Sequence, residues 1–553
     1  MLCGSSLEAA HPEAVRGSGG AVSSAAPAAT EAGLEILRAG GNAADAAVAT
    51  ALALAVVHPQ AGNLGGGGFA ISRFGSSLTA LDFRETAPAD ATEAMYLDEK
   101  GEPRGDASRI GPLAAGVPGS PAGLFELHKA HGRLPWAKVV EPALGLARDG
   151  FVITRRLERS LTVNSDLLNK FPETAAVWLS GGRPPVAGSV MRLPELAATL
   201  EAYARRGAPA ITEGPIAAAV ELAARRHGGI LRAVDLAAYR AVWRNPVRFQ
   251  AFGWQVASMP LPSSGGIILG QTCGVLERLE WGKYPRFGAD RCHLLAETWR
   301  RTYADRFLLG DPRTSQANAS QLLAKEWLDF RADRIRLGKA MPSDRVRKWS
   351  RDLVPESAQT THLSVIDGEG NAVSITTTIN GGFGCGLLVP GAGFILNNEM
   401  DDFATAPGVP NMFGLLQGEA NAVGPGKRML SSMTPTIAWN GDRVIVLGSP
   451  GGSRIPTATA QVLLNLIVDG DELQAAVDRP RIHHQWMPDI LYVEDESLSP
   501  ETAKSLERKG HVIESTVQIG EVSAVQGRVG GKVRAAQDPR GPGSAGVVRS
   551  AVD

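Results

Sequence analysis

Cysteine is scarce. The 553 residues contain only Cys3, Cys273, Cys292 and Cys385, far apart and none in a CxxC pair. That spacing argues against a disulfide framework or a cysteine zinc site, so folding does not depend on an oxidising compartment. Long apolar runs are also missing. The longest, Ala46 to Val57, is alanine-rich and interrupted by Thr50, which reads as a buried helix rather than a bilayer span. Neither sign of charge dominates: 56 Lys and Arg face 57 Asp and Glu, for a net charge of −1, and no long basic run occurs. Nucleic-acid binding, which needs a cationic footprint, is not expected. The N-terminal MLCGSSLEAAHPEA lacks the basic and apolar regions of a signal peptide. As written, the chain reads as soluble and unexported; a missing leader would give the same picture.

Several catalytic signatures are absent as well. Gly65 to Gly68 is followed by no Gly-Lys-Ser/Thr, Gly426-Lys427 lacks the rest of a P-loop, and there is no G-x-S-x-G or HExxH. His483-His484 occupy adjacent strand positions, which point to opposite faces. They read as structural, with Arg481 and Asp538-Pro539-Arg540 nearby.

What is present is an ordinary globular composition, 44% apolar and 20% charged, in a chain long enough on its own for several domains. Thr30 to Ala39 predicts a helix stopped by Gly40-Gly41, and Asn42 caps a second from Ala43 to before Pro59. Their many small residues imply close packing. The glycines of Gly62-Asn63-Leu64-Gly65-Gly66-Gly67-Gly68-Phe69 permit positive φ and close backbone approach. Leu81 to Arg84 predicts a strand. Residues 120–340 are mainly helical, with candidates Gly123–His131, Trp136–Asp149, Leu193–Arg206, Ile216–Arg226 and Arg291–Leu309, interrupted by strand-like Trp254–Met259. Polar residues 341–358 predict an exposed connector. Beyond it, Thr360–Ile366 and Ala372–Ile379 flank Asp367-Gly368-Glu369-Gly370-Asn371 and predict a β-hairpin. Thr434–Trp439 and Val444–Leu447 form a second pair, and Thr457–Val468 a helix. Asp402 to Lys427 predicts a long ordered loop, a common place for function.

The most informative point is Gln359-Thr360-Thr361-His362, where the polar connector runs into a core strand. Cleavage before Thr360 would free an α-amine beside a hydroxyl. A threonine hydroxyl is a poor nucleophile alone, but an α-amine with a pKa of roughly 7.7–8.0 can take its proton. One residue then supplies both nucleophile and base. Taken by itself, the segment reads more readily as ordinary strand threonines.

The remaining motifs decide between these. Gln359-Thr360-Thr361-His362-Leu363-Ser364-Val365, Thr378-Ile379-Asn380, Asn397-Asn398-Glu399-Met400-Asp401-Asp402-Phe403, Pro407-Gly408-Val409-Pro410-Asn411, Leu430-Ser431-Ser432-Met433-Thr434-Pro435 and Gly448-Ser449-Pro450-Gly451-Gly452-Ser453-Arg454 occur in that order. Upstream stand His58-Pro59-Gln60-Ala61-Gly62-Asn63-Leu64 and Asp82-Phe83-Arg84-Glu85. In this ordered set, from about residue 11 onward, the chain resembles the γ-glutamyltransferases of the N-terminal-nucleophile hydrolase superfamily.

The resemblance implies an α+β fold, a four-layer αββα sandwich with two antiparallel sheets between helical layers. It implies self-cleavage into a large subunit, 1–359, and a small subunit, 360–553, intertwined as a heterodimer. Thr360 would be the nucleophile and Thr378 its orienting hydroxyl, with the N–H groups of Gly451 and Gly452 as oxyanion hole. Arg84, Ser431 and Ser432 would take the α-carboxylate of a γ-glutamyl donor, and Asn380, Glu399 and Asp402 its α-ammonium. Glutathione and related amides would be donors, with water, an amino acid or a peptide as acceptor. No metal or organic cofactor, nucleic acid or membrane partner is implied; a periplasmic or secreted location is implied if a leader is missing. Two departures bear on specificity: Phe413 stands where the family often has Tyr, and Gly381-Gly382 where it often has Thr-Thr. The rival readings are a glutaryl-cephalosporin-acylase-like amidase on the same scaffold and a homologue that binds but never matures.

Overall fold

The turn at Asp367–Asn371 closes the predicted hairpin. In the computed structural model, Thr360–Asp367 pairs antiparallel with Ala372–Thr378, placing Thr360 opposite Thr378. The Asp367 carboxylate accepts from the N–H groups of Glu369 and Asn371 at 2.9 and 3.0 Å, and Gly370 supplies the positive φ, +83°, that the turn needs. The structure describes residues 13–179, 181–347, 360–406, 409–495 and 497–549.

The hairpin lies inside a seven-stranded sheet. From edge to edge the strands are Ser544–Val548, Gly20–Ser24, Thr360–Asp367, Ala372–Thr378, Gly67–Phe74, Ser77–Phe83 and Val242–Arg244. A second seven-stranded sheet runs Val15–Gly17, Val533–Ala536, Ser523–Arg528, Arg443–Gly448, Thr436–Asn440, Trp254–Ser258 and Val247–Ala251. Every pairing in both is antiparallel.

Strand alternation sorts the side chains into layers. Leu363, Val365, Val373 and Ile375 face a core shared with the helices Pro27–Arg38 and Ala43–Val57. Ile366, Ala372, Ile437, Val444, Val446 and Val525 fill the space between the sheets. Ala438, Ile445, Leu447 and Ala524 face the helices Gly265–Arg278, Ala289–Arg306 and Ile455–Ile467. The result is helix, sheet, sheet, helix, as the sequence implies.

The capped helix is Ala43–Val57, closed by a reciprocal capping box between Asn42 and Asp45. All 15 of its residues are buried, which explains its small side chains. It packs closely enough on Pro27–Arg38 that a Cβ at Gly33 would stand 2.3 Å from Thr50 Oγ1. The other predicted helices appear as Ser120–His131, Trp136–Asp149, Pro194–Arg206, Gly214–Arg226 and Ala289–Arg306. The helix Gly265–Arg278 escapes the sequence pattern because Gly265 to Leu276 are all buried, leaving no polar face to mark its period.

The glycine run needs one correction. Gly65 to Gly68 do not adopt positive φ; they are required only by close approach. Added Cβ atoms would lie 2.0 Å from the Ile395 carbonyl oxygen at Gly65, 2.1 Å from that of Thr378 at Gly66, and 2.4 Å from that of Thr376 at Gly68. In the connector, Ser343–Val346 forms a helical turn; residues 348–359, including Gln359, lie outside the described residues, as does most of the N-terminal segment read for a leader. Among the described residues no helix is long and apolar enough to cross a membrane.

Candidate active site

The Thr360 end of its strand is flanked unequally. On one side Ala372–Thr378 pairs along the whole length, while on the other Gly20–Ser24 reaches only to Leu363. Thr360 thus sits at the head of a buried central strand, beyond the last residue of one neighbour, and is 6% exposed. His362, two residues on, fixes this strand to the other sheet. It pairs with Thr376 Oγ1 at 2.8 Å and Ser364 Oγ at 3.1 Å, and its ring occupies the space a Cβ at Gly448 would need. Burial pushes its pKa down to about 3, so it packs as a neutral ring.

Arg443–Gly448 then leads through Ser449 and Pro450 to Gly451 and Gly452, ahead of the helix Ile455–Ile467. Both glycines have positive φ, +132° and +54°, and a Cβ at Gly452 would stand 2.6 Å from the Phe413 ring. Only glycine fits there, and a chain entering a helix this way presents N–H groups toward the space in front of it.

On the partner strand, opposite Thr360, Thr378 Oγ1 accepts from the Asn380 N–H at 2.7 Å. Asn380 has a φ of +71° and donates through Nδ2 to the Asn398 carbonyl at 3.0 Å. The paired asparagines before Glu399 are framing residues. Asn397 Oδ1 accepts from the N–H groups of Gly116 and Glu399 at 2.9 and 3.0 Å, and Asn398 Oδ1 from that of Gly381 at 2.8 Å. The wall at Gly381 is tight: a Cβ would press to 3.1 Å on both Asn398 and Met412.

Arg84 follows the strand Ser77–Phe83 and is fully buried. Its Nη1 donates to Glu399 Oε1, its Nη2 to Asp402 Oδ2 at 2.5 Å, and its Nε to the Met429 carbonyl at 3.3 Å; Glu85 stands 3.7 Å away. Burial works against the guanidinium charge, but Glu399, Asp402 and Glu85 together hold its pKa above the ordinary value. The carboxyls pay for the crowding. Burial raises those of Glu399 and Asp402 and brings Glu85 to about 7, with Arg84 opposing in each case. Among the described residues, neither Glu85 carboxyl oxygen, nor Glu399 Oε2, has a hydrogen-bond partner.

Ser431 is pinned by its backbone. Its N–H donates to the Pro262 carbonyl, and its carbonyl accepts from the Ser264 N–H and hydroxyl, each at 2.8 Å. Ser432 Oγ is buried with no hydrogen-bond partner among the described residues. The loop after Asp402 is clamped by Asn411, which donates to Asp402 Oδ1 at 2.7 Å and accepts from the N–H groups of Phe413 and Leu415. Pro407 and Gly408 lie outside the described residues.

These segments line one pocket, whose space of about 290 Å³ includes its opening to solvent. Its walls include Arg84, Thr360, Thr378, Asn380, Glu399, Asp402, Ser431, Ser432 and Gly452. Of the residues singled out from sequence, only Gly451 is not in the lining, and it adjoins Gly452. The expected separation of carboxylate-binding and ammonium-binding groups takes an unexpected form here, because Arg84 is paired directly to Glu399 and Asp402.

Arg306 is a wall residue that sequence reasoning missed. It ends the helix Ala289–Arg306, whose many charged residues are buried and so give no amphipathic signal. Glu85 was quoted as part of a motif but given no role. Elsewhere His483 pairs with Thr457 and Gln485, and Arg481 with Asp538 at 2.7 Å, in keeping with a structural cluster. Among the described residues no group of three or more His, Cys, Asp or Glu is placed to hold a metal ion.

A family model described as Gamma-glutamyltranspeptidase matches residues 29–548. The chain is 44% identical over 535 residues to the glutathione hydrolase proenzyme of Escherichia coli (strain K12), covering 96% of this chain and 91% of that one. Among solved structures, the cephalosporin acylase from Bacillus halodurans is similar over 99% of both chains, with a TM-score of 0.85 and 27% identity. The γ-glutamyltranspeptidase of Helicobacter pylori is similar over 58% of this chain and 93% of its own, with a TM-score of 0.57 and 36% identity.

Proposed function

The chain belongs to the γ-glutamyltranspeptidase family, and on that premise we propose that it is an autoprocessed γ-glutamyltransferase and glutathione hydrolase whose nucleophile is Thr360. The observation that carries this reading is the single cavity into which Thr360, Thr378, Gly452, Ser431, Ser432 and the Arg84–Glu399–Asp402 cluster all project. A donor with a reactive γ-amide at one end and a zwitterionic α-carbon at the other matches that division.

The chemistry follows from the positions. Cleavage at Gln359–Thr360 frees the Thr360 α-amine, which takes the Oγ proton as the oxygen attacks the γ-carbonyl. Thr378, opposite Thr360 in the ladder, orients the hydroxyl. Charge builds on the carbonyl oxygen and is met by the N–H groups of Gly451 and Gly452. The tetrahedral species collapses to a γ-glutamyl ester on Thr360, and the leaving amine departs with a proton. Water, or the amine of an amino acid or peptide, then attacks the ester by the same route. The donor's α-ammonium lies against Glu399, Asp402 and Asn380, and its α-carboxylate against Arg84 and the two serines.

A denaturing gel with N-terminal sequencing, and a γ-glutamyl-anilide assay on the same preparation, test this. Purified protein should convert without protease into fragments 1–359 and 360–553 and then release the anilide. Thr360→Ala should stay a single, inactive chain, while Thr360→Ser should cleave. Cleavage that persists in the Ala variant, or a wild type that never cleaves, would remove Thr360 from this role and favour the non-maturing homologue.

A further inference from the structure

Two guanidinium groups face the cavity, and their surroundings differ sharply. Arg84 is engaged by Glu399 and Asp402, with Glu85 a third carboxylate within 4 Å. Formally it is more than neutralised before any ligand arrives. Arg306 is equally buried, at 2% exposure, yet no carboxylate lies within salt-bridge distance of it among the described residues. Its two hydrogen bonds go to neutral groups: Nε donates to Ser264 Oγ at 3.1 Å, and Nη1 to Gln417 Oε1 at 3.5 Å, a long contact. Burial lowers its pKa to about 10; the nearby Asp402 charge opposes this without contacting the guanidinium, and Arg84 adds to it. A buried charge is costly unless paired, and this one borders the cavity where a ligand would sit.

Its neighbours locate it at one end of that cavity. Ser264, which accepts from Arg306, donates to the Ser431 carbonyl at 2.8 Å. Gln417, the other acceptor, donates through Nε2 to the Asp402 carbonyl at 2.5 Å. Arg306 therefore sits where the segments carrying Asp402 and Ser431 meet, the end assigned above to the donor's α-carbon. Resting on that assignment, we propose that Arg306 is a specificity-determining residue that supplies a positive charge, held by no direct carboxylate contact, for the donor's α-carboxylate, beside Ser431 and Ser432. Arg84 then does two jobs: it fixes Glu399 and Asp402 in place, and its remaining N–H directions complete the same subsite.

Isothermal titration of the matured enzyme with L-glutamate, the acyl product of hydrolysis, and with 4-aminobutyrate, the same molecule without its α-carboxylate, tests this. In Arg306→Met, L-glutamate should weaken on the order of tenfold or more while 4-aminobutyrate changes little, because only the former loses a charge partner. Arg306→Lys keeps the charge without the fork and should give a smaller loss with the same selectivity; it also serves if the Met variant fails to mature. Parallel weakening of both ligands would overturn the proposal and reduce Arg306 to a support for Asp402 and Ser431. Unchanged binding of both would overturn it too. A wild type that matures but binds neither ligand and cleaves no γ-glutamyl amide would instead refute the activity on which the inference rests.

Discussion

At the scale of single residues, the Arg84–Glu399–Asp402 cluster sets the expected choice between a γ-glutamyl donor and its nearest rival, a glutaryl donor lacking the α-ammonium. Were the two acids otherwise unpartnered, losing the ammonium would leave bare buried carboxylates. Here Arg84 already holds both, so the penalty belongs at the low end of that for breaking a buried charged set, about 2–3 kcal/mol or roughly 30- to 150-fold. Glutaryl-anilide should be poorer than γ-glutamyl-anilide in kcat/KM by that factor, and Asp402→Asn should narrow the gap by removing one negative charge at constant shape. Equal turnover of both donors by the wild type would shift the reading to the acylase. Phe413 fits the same picture: it lacks a hydroxyl, but its ring packs on Gly452, so it closes the cavity by contact alone.

At the scale of elements, the decisive connection is His362, which docks the strand headed by Thr360 onto the strand leading to Gly451 and Gly452 through the space left by Gly448. Its pKa falls from the ordinary 6.5 to about 3 on folding. A depressed histidine means the unfolded chain binds the proton first as pH falls. Its contribution is therefore fully present above about pH 6.5 and is lost progressively toward pH 3, amounting to about 2 kcal/mol at pH 5. Urea unfolding of the uncleaved Thr360→Ala chain should accordingly lose more stability between pH 7.5 and 5 than the same chain carrying His362→Gln, which has no proton to take up there. Identical pH dependence in the two would show that His362 takes up its proton as readily in the folded as in the unfolded chain. The hairpin and the capped helix were legible in sequence because their signals are local: a turn composition, a cap, an alternation. The helices Gly265–Arg278 and Ala289–Arg306 were obscure or only roughly bounded because burial on every side erases the period that sequence reading depends on.

At the scale of the whole molecule, the position of Thr360 in the chain matters less than its position in the sheets. In the first sheet, Gly20–Ser24 lies between Thr360–Asp367 and Ser544–Val548, and Gly67–Phe74 pairs with Ala372–Thr378. In the second, Val15–Gly17 pairs with Val533–Ala536, and Trp254–Ser258 with Thr436–Asn440. Segments from both sides of residue 360 thus contribute paired strands to both sheets, and the cores between the layers are shared. Cutting one peptide bond removes none of this. After cleavage the two fragments should co-elute in gel filtration as one particle and separate only in denaturant. Elution as independent fragments under native conditions would contradict this interleaving.

The sequence by itself determined the reaction class, because the chemistry is carried by short motifs whose order and residue types survive without any fold: a threonine behind a polar connector, paired glycines before a helix, an arginine and two acids with the polarity of a zwitterion. It also determined the layer architecture, through a resemblance spanning nearly the whole chain. Only the tertiary structure decided how those motifs meet. Arg84 and Glu399 are 315 residues apart, and nothing local says that they form an ion pair. The glycines 65–68 were legible as a place of close approach, but which carbonyls approach them was not. Arg306 gave no signal at all, since a charged residue in a helix is ordinarily solvated; it becomes notable only when the packing of two distant segments takes away its water and leaves it, among the described residues, with no carboxylate in direct contact.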